Sequence, residues 1–293
     1  MSKVYQVITD RIVQLLEAGT VPWHKPWKTE GAPKNVVSRK DYRGVNTFLL
    51  SCAEYPRPYW LTYKQATRFG GHVRKGERGL PVIFWKWGDK IEADERDDNS
   101  RTARRAPILR YFTVFNIQQC DDLADGVVPP VPTVDRAPVN PIAACQSIVD
   151  NMPKRPDIHH DSQAAFYKPF VDAVHMPDRD TFDGPHEYHS TLFHELVHAT
   201  GHESRLGRPG ITDTIYFGSP TYSKEELIAE MGATYLVGHA GVERKTFDNS
   251  AAYIASWLRK LRGDNRLVIQ AAGAAQKAAD FILNRTFGVA TDE

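Results

Sequence analysis

His194-Glu195-Leu196-Val197-His198 brings two imidazoles and a carboxylate together within five residues. On a helix, residues four apart lie one above the other on the same face, so the two imidazoles can grip one metal ion. The glutamate beside the first histidine can then take a proton from the attacking water. That is the chemistry of metal-assisted hydrolysis, most often of a peptide bond. The same five residues also fit a surface helix with two exposed histidines. The flanks argue for the metal reading. Leu192, Phe193, Leu196 and Val197 fall mostly away from the two histidines, so the helix can bury one face and present the other. Gly201 follows at a fitting helix end.

A hydrolytic metal needs a third protein ligand and an open position. The metzincin extension of the motif requires a histidine where Ser204 stands, and His202 is out of register by two. The ligand must therefore come from elsewhere. The segment 222–233 reads as a second helix, with Ser223 as N-cap and Glu226 completing a capping box. Glu226 and Glu230 are four apart on one face, while Leu227, Ile228 and Met231 lie largely on the other. This resembles the gluzincin arrangement, in which the first acid binds metal and the second orients a ligand histidine. Glu226 is accordingly the expected third ligand, with Glu230 behind it; the two roles can also be exchanged. Tyr216, Tyr222 and His202 are candidates for stabilising the oxyanion.

The chain of 293 residues is long enough for two modest domains with separate cores. Its start, with Val4, Ile8, Ile12, Leu15 and Leu16 in helical register, is amphipathic, unlike a secretion signal, and no apolar run is long enough to span a bilayer. Cys52, Cys120 and Cys145 show neither a disulfide framework nor a metal-knuckle spacing. A cytoplasmic protein with buried thiols is the expectation. Five prolines between residues 126 and 141 disfavour regular structure, which sets domains at 1–127 and 139–293 with a spacer at 128–138.

In the first half, 3–18 and 62–69 read as helices. Leu80–Trp87 and Ile108–Ile117 read as paired strands joined by a mobile charged stretch, making this half α+β. In the second half, short strands at 164–167 and 172–176 precede helices at 186–200, 223–239, 250–261 and 266–285, with a further helix at 143–151. In zincins an edge strand ahead of the motif helix pairs with extended substrate, and these two strands are the candidates for it.

The small net charge hides an asymmetry. Residues 1–127 carry 21 basic and 15 acidic residues, a net of +6, and the remainder nets −5. Outside the acidic stretch 88–100, the first half has 19 basic residues against 9 acidic. Five of the six tryptophans lie in this basic half, interleaved with cations. Aromatic faces that stack on bases and cations that track phosphates are what single strands require. The candidate contacts are Trp23, Lys25, Trp27, Tyr42, Arg43, Asn46, Trp60, Tyr63, Arg74, Lys75 and Lys86, although at least half of the aromatics are expected in the core.

Several blocks follow one another along the chain: Pro22-Trp23-His24-Lys25-Pro26-Trp27, Tyr42-Arg43-Gly44-Val45-Asn46, Trp60-Leu61-Thr62-Tyr63-Lys64-Gln65-Ala66, Val73-Arg74-Lys75-Gly76-Glu77, the motif run 191–202 and the acidic run 222–230. Over nearly its whole length the chain resembles the ArdC antirestriction proteins of conjugative plasmids. One departure is Ala199, where the family often has an aromatic residue. The resemblance implies an N-terminal α+β domain that binds single-stranded DNA. It also implies a C-terminal, mainly helical zincin-like metallopeptidase domain with a small sheet. It further implies one divalent metal, zinc foremost with manganese or another transition metal as alternatives. Glu195 is then the catalytic base, and His194, His198 and Glu226 the metal ligands. The implied role is protection of incoming plasmid DNA from restriction. Single-stranded DNA is the partner, a host restriction-system protein is the candidate peptide substrate, and no membrane is involved.

Overall fold

The first helix shows why the two halves of the chain are joined. Helix α1 (Lys3–Glu17) buries Ile8, Ile12 and Leu16 along one stripe, as its periodicity predicts. That stripe packs against both the sheet of its own half and the last two helices of the chain. In the computed structural model, residues 3–24, 31–87, 107–130, 140–213, 216, 218–242 and 250–285 are described. Lys25, Trp27, the charged stretch 88–106 and spacer residues 131–138 lie outside them, as does the side chain of Lys86.

After a 3₁₀ turn at Pro22–His24 come β1 (Lys34–Asn35), α2 (Val45–Ser51), β2 (Tyr59–Thr62), α3 (Tyr63–Arg68), β3 (His72–Val73), β4 (Leu80–Trp87), β5 (Pro107–Asn116) and β6 (Cys120–Asp121). One sheet has the order β1-β2-β5-β4, in which only β1 and β2 run parallel, and β3 pairs with β6. Helix α3 starts where the sequence requires. Thr62 Oγ1 accepts the Gln65 N–H at 3.2 Å and Gln65 Oε1 accepts the Thr62 N–H at 2.9 Å, a reciprocal capping box.

The second half contains α4 (Pro141–Asp150), β7 (Asp157–His160), β8 (Phe166–Lys168), β9 (Ala173–Met176), α5 (Pro185–Ala199), α6 (Pro209–Thr212), α7 (Pro220–Ala240), α8 (Ala251–Gly263) and α9 (Leu267–Ile282). Its sheet has the order β7-β9-β8, so β9 is central and of the two expected strands only β8 offers an edge. Helix α7 begins one turn earlier than expected. Ser219 caps it, accepting the Tyr222 N–H at 3.1 Å, and Pro220 supplies a preset φ at the first position. Ser223 is thereby a buried interior residue and not the cap.

The architecture is the expected two-domain α+β arrangement, with a mainly helical second half, but the cores are not separate. A single apolar cluster runs from Ile8 to Ile282. In it Phe48 of α2 stacks on Tyr235 of α7, centroids 4.8 Å apart. The ring of Trp23 meets Trp257 of α8 edge-on at 5.7 Å. Two small clusters stay within the first half. Val128, expected to begin the spacer, packs against one of them, and Arg57 donates to the Pro129 carbonyl at 2.8 Å. The three cysteines form no disulfide; Cys145 is buried and the other two half-buried. No described helix is long and apolar enough to cross a membrane.

Helix α7 packs tightly on α5 at Gly232, where an added Cβ would lie 2.7 and 2.8 Å from the two methyl groups of Val197. Gly232→Ala therefore forces the helices apart or Val197 out of its rotamer. It should cost about 1–3 kcal/mol, read as a lower thermal midpoint. Val197→Ala in the same chain should restore part of the loss.

Candidate metal centre

The α5–α7 crossing brings the motif histidines to an acid. His194 and His198 sit one turn apart on α5 with their Nε2 atoms 3.1 Å from each other. From α7, Glu226 sets one carboxylate oxygen 3.6 Å from His194 Nε2 and the other 3.6 Å from His198 Nε2. One donor atom from each residue falls within a sphere where all separations are at most 4.8 Å, the only such group among the described residues. Bonds of about 2.0 Å to a tetrahedral zinc put ligand atoms roughly 3.3 Å apart, so the spacing suits one small divalent ion. Two imidazole nitrogens and one carboxylate are also a donor set such ions accept.

The charges around the centre favour the ionised form of Glu226. Burial works against the Glu226 carboxylate, but His194 and His198 outweigh it and hold its pKa below the usual range. His198 is 9 % exposed. Burial disfavours its cation, yet Glu225, Glu195 and Glu226 together raise its pKa above the ordinary value. Glu195, 7 % exposed, follows His194 on α5. Tyr222, one turn before Glu226, bonds to that carboxylate. Burial first, then the charges of Glu226 and Glu195, push its hydroxyl up to about 12, so it stays a donor. Of the other two oxyanion candidates, Tyr216 is 80 % exposed and His202 bonds to Ser204 Oγ at 2.8 Å.

The acid behind the histidines is not the one the spacing suggested. Glu225, 3 % exposed, faces His198 Nδ1 at 3.4 Å. Arg208 locks it in place, donating from Nε to Oε2 at 3.0 Å. The same guanidinium donates to Thr200 Oγ1 at 2.6 Å and to the Val197 carbonyl at 2.7 Å, closing the C-terminal end of α5. Burial opposes the Glu225 charge, but His198 and Arg208 hold its carboxyl below the usual range. Gly210 admits this packing, since a Cβ there would lie 2.8 Å from Glu225 Oε2.

Glu230 corrects the sequence expectation. One turn of α7 carries it past the histidines. There it accepts from Trp23 Nε1 at 2.9 Å and from the Tyr253 hydroxyl, with His24 Nε2 at 3.8 Å. Its partners therefore come from the first half and from α8. A four-residue spacing selects acids on one helical stripe but is blind to a neighbour reached from the side. For that reason Glu225 was missed; its only sequence signal was its adjacency to Glu226.

The expected nucleic-acid contacts divide sharply. Trp23 and Trp60 are 0 and 2 % exposed, and Tyr42 and Asn46 are buried with them. The Asn46 side chain bonds the Ile83 N–H and carbonyl at 2.8 Å each, splinting α2 to β4. These four are core residues, and none offers a face to a base. Arg43 pairs with Asp280 of α9, and Arg74 with Glu77 and Asp121 at 2.8 and 3.1 Å. Tyr63 and Lys75 are exposed. Other rings of this half that reach the surface are Phe84, Trp85, Tyr111 and Phe112 on β4 and β5; of these, only Trp85 is among the tryptophans set between cations. Alternation marked both strands but could not tell which part of a face lacks a cover.

Residues 2–115 match the family described as the N-terminal domain of the anti-restriction factor ArdC, and residues 146–274 match the zincin-like metallopeptidase family. The antirestriction protein ArdC of plasmid R388 is 36 % identical in sequence. Its Mn(II)-bound structure superposes with a TM-score of 0.73 over 97 % of this chain and 98 % of that one. The metal-free structure superposes equally well. An uncharacterised Sinorhizobium fredii protein, y4eC, is 35 % identical over 95 % of this chain and 91 % of its own length. Two Escherichia coli DNA primases named TraC are 34 and 33 % identical over 95 % of this chain, which spans only 27 and 20 % of their lengths.

Glu225→Gln keeps the shape but removes the charge facing His198 and Arg208. Its affinity for zinc should fall about 10–100-fold, measured by chelator competition. The depressed carboxyl of Glu225 makes its stabilisation complete above the ordinary carboxylate pKa and lost as pH falls through the folded value. The variant's melting temperature should accordingly be lower at neutral pH and vary less on acidification than that of the parent.

Proposed function

This chain belongs to the ArdC antirestriction family, and we propose that it binds single-stranded DNA through its first half and hydrolyses a peptide bond at the His194–His198–Glu226 centre. The biological role in this reading is to shield plasmid DNA entering a restricting cell during conjugation. The carrying observation is the convergence of two imidazole nitrogens and a carboxylate from two helices, with Glu195 held alongside. A divalent ion bound by the three would act as a Lewis acid, polarising the scissile carbonyl and acidifying water. Zinc suits the donor set, and the Mn(II) bound by the R388 relative makes manganese an alternative.

Glu195 is the general base. Its carboxylate takes a proton from the attacking water as the C–O bond forms, and delivers a proton to the amine as the C–N bond breaks. Tyr222, protonated at any physiological pH, donates a hydrogen bond to the carbonyl oxygen as negative charge develops there. Glu225 and Arg208 hold the His198 ring in its orientation. The edge of β8, which packs against α5, pairs with the extended peptide by strand addition. DNA contact is supported by the net charge of +6 on residues 1–127 and by the similarity to a portion of two DNA primases.

Glu195→Ala should keep metal affinity and DNA binding while abolishing hydrolysis of casein; proteolysis surviving in that variant would refute the assignment of the base. Tyr222→Phe should lower kcat by about 10²–10³-fold, measured at saturating metal because the same hydroxyl bonds to Glu226. Plasmid transfer into a restricting recipient, with Glu195→Ala at equal protein level, separates the two activities. Loss of protection with DNA binding intact makes hydrolysis the mechanism, with a host restriction protein as the first substrate to seek. Retained protection assigns antirestriction to binding, with the zincin-like half as a metal-stabilised scaffold.

A further inference from the structure

One face of the four-stranded sheet is covered along only part of its length. Register places Trp60, Val114, Val82, Phe112, Phe84 and Arg110 on that face, with Val82 opposite Phe112 and Phe84 opposite Arg110. Trp60, Val82 and Val114 are buried beneath Tyr42 and Leu50. The cover ends at Tyr42, whose ring centroid is 6.1 Å from that of Phe84. Beyond it the face stays aromatic but open. Phe84 and Phe112 are each 46 % exposed, their rings edge-to-face at 5.9 Å, and Arg110 stands exposed beside them. The open side of an antiparallel ribbon ordinarily carries polar residues, and contiguous exposed apolar side chains mark a binding surface.

Resting on the single-stranded DNA reading above, we propose that Phe84 and Phe112 form a ledge on which successive bases stack, with Arg110 taking the intervening phosphate. Charge selects this occupant. Neither Leu80–Trp87 nor Pro107–Asn116 contains an acidic residue, and both contain a cation. The half that carries them is basic, with a net of +6. A phenyl ring offers a π-face to any base and no hydrogen bond to its edge, so binding is indifferent to sequence. Duplex DNA keeps its bases stacked on each other and cannot use the ledge.

The test measures anisotropy of a fluorescein-labelled thymidine oligonucleotide with the full chain. Phe84→Leu and Phe112→Leu retain apolar volume against Tyr42, so they should melt as the parent does. Together they should weaken binding by about tenfold or more, since each stacked base contributes roughly a five- to 150-fold factor in affinity. Arg110→Gln should reduce the slope of log K against log salt by roughly 0.7, the value of one single-strand phosphate contact. If the parent binds the oligonucleotide and the folded double variant binds it equally well, the ledge is not the site. The proposal also fails if the double variant binds equally well and sedimentation shows that it alone is monomeric, since a second copy then covers the face. If the parent binds no single strand at all, the underlying reading fails along with the ledge.

Discussion

The closeness of α5 to α7 governs everything at the metal centre. An imidazole reaches only a few ångströms from its helix and a glutamate little further, so a carboxylate bridges two histidines of another helix only if the helices nearly touch. Gly232 permits this by leaving room for Val197 at the crossing. Interiors pack as densely as crystals, and a helix cannot drift by an ångström without opening voids. The separations of 3.1 and 3.6 Å among the three donors thus rest on apolar packing that begins at Val197, the residue before His198.

The polar groups around this crossing are bound in chains, as burial requires. Glu225 is nearly inaccessible, and an isolated carboxylate there would cost several kcal/mol. Arg208 and His198 offset that cost, and Arg208 also satisfies carbonyl oxygens at the end of α5. His198, Glu225 and the end of α5 thereby form one unit. On the next turn of α7, Glu230 performs the equivalent service for the first half by joining Trp23, Tyr253 and His24. A single helix carries Glu225 toward the motif histidines and Glu230 toward the partner half.

Local features of the sequence were well reflected in the structure. The motif helix, the β4–β5 pair and the helix from Ser250 follow periodicities and caps that a short window contains. The nearness of Glu226 to the two histidines was readable for the same reason, because it lies on a stripe that a helix of any position would present. What escaped depends on the angle between elements. Glu225 reaches His198 only because α7 crosses α5 as it does. Trp23 and Trp60, set among cations, looked like stacking platforms and are core. Composition records which rings exist, whereas burial depends on what other segments lay over them: Glu230 and Trp257 for Trp23, Tyr42 and Leu50 for Trp60. The start of α7 shows a finer competition: two serines could cap it, and the one followed by proline wins because its successor's φ is already helical.

The apolar cluster that runs from Ile8 to Ile282 bears on how such a protein can be inherited. A gene trimmed at the proline-rich spacer would encode helices α8 and α9 with the groove for α1 empty, and an α1 with its apolar stripe in water. Neither fragment closes its own interior. Recombination can therefore append this sequence to a larger polypeptide, or detach it, most readily as one block. The spacer that resembles a seam in composition is not a seam in folding energy, and shuffling the two halves separately would cost folding before it touched function.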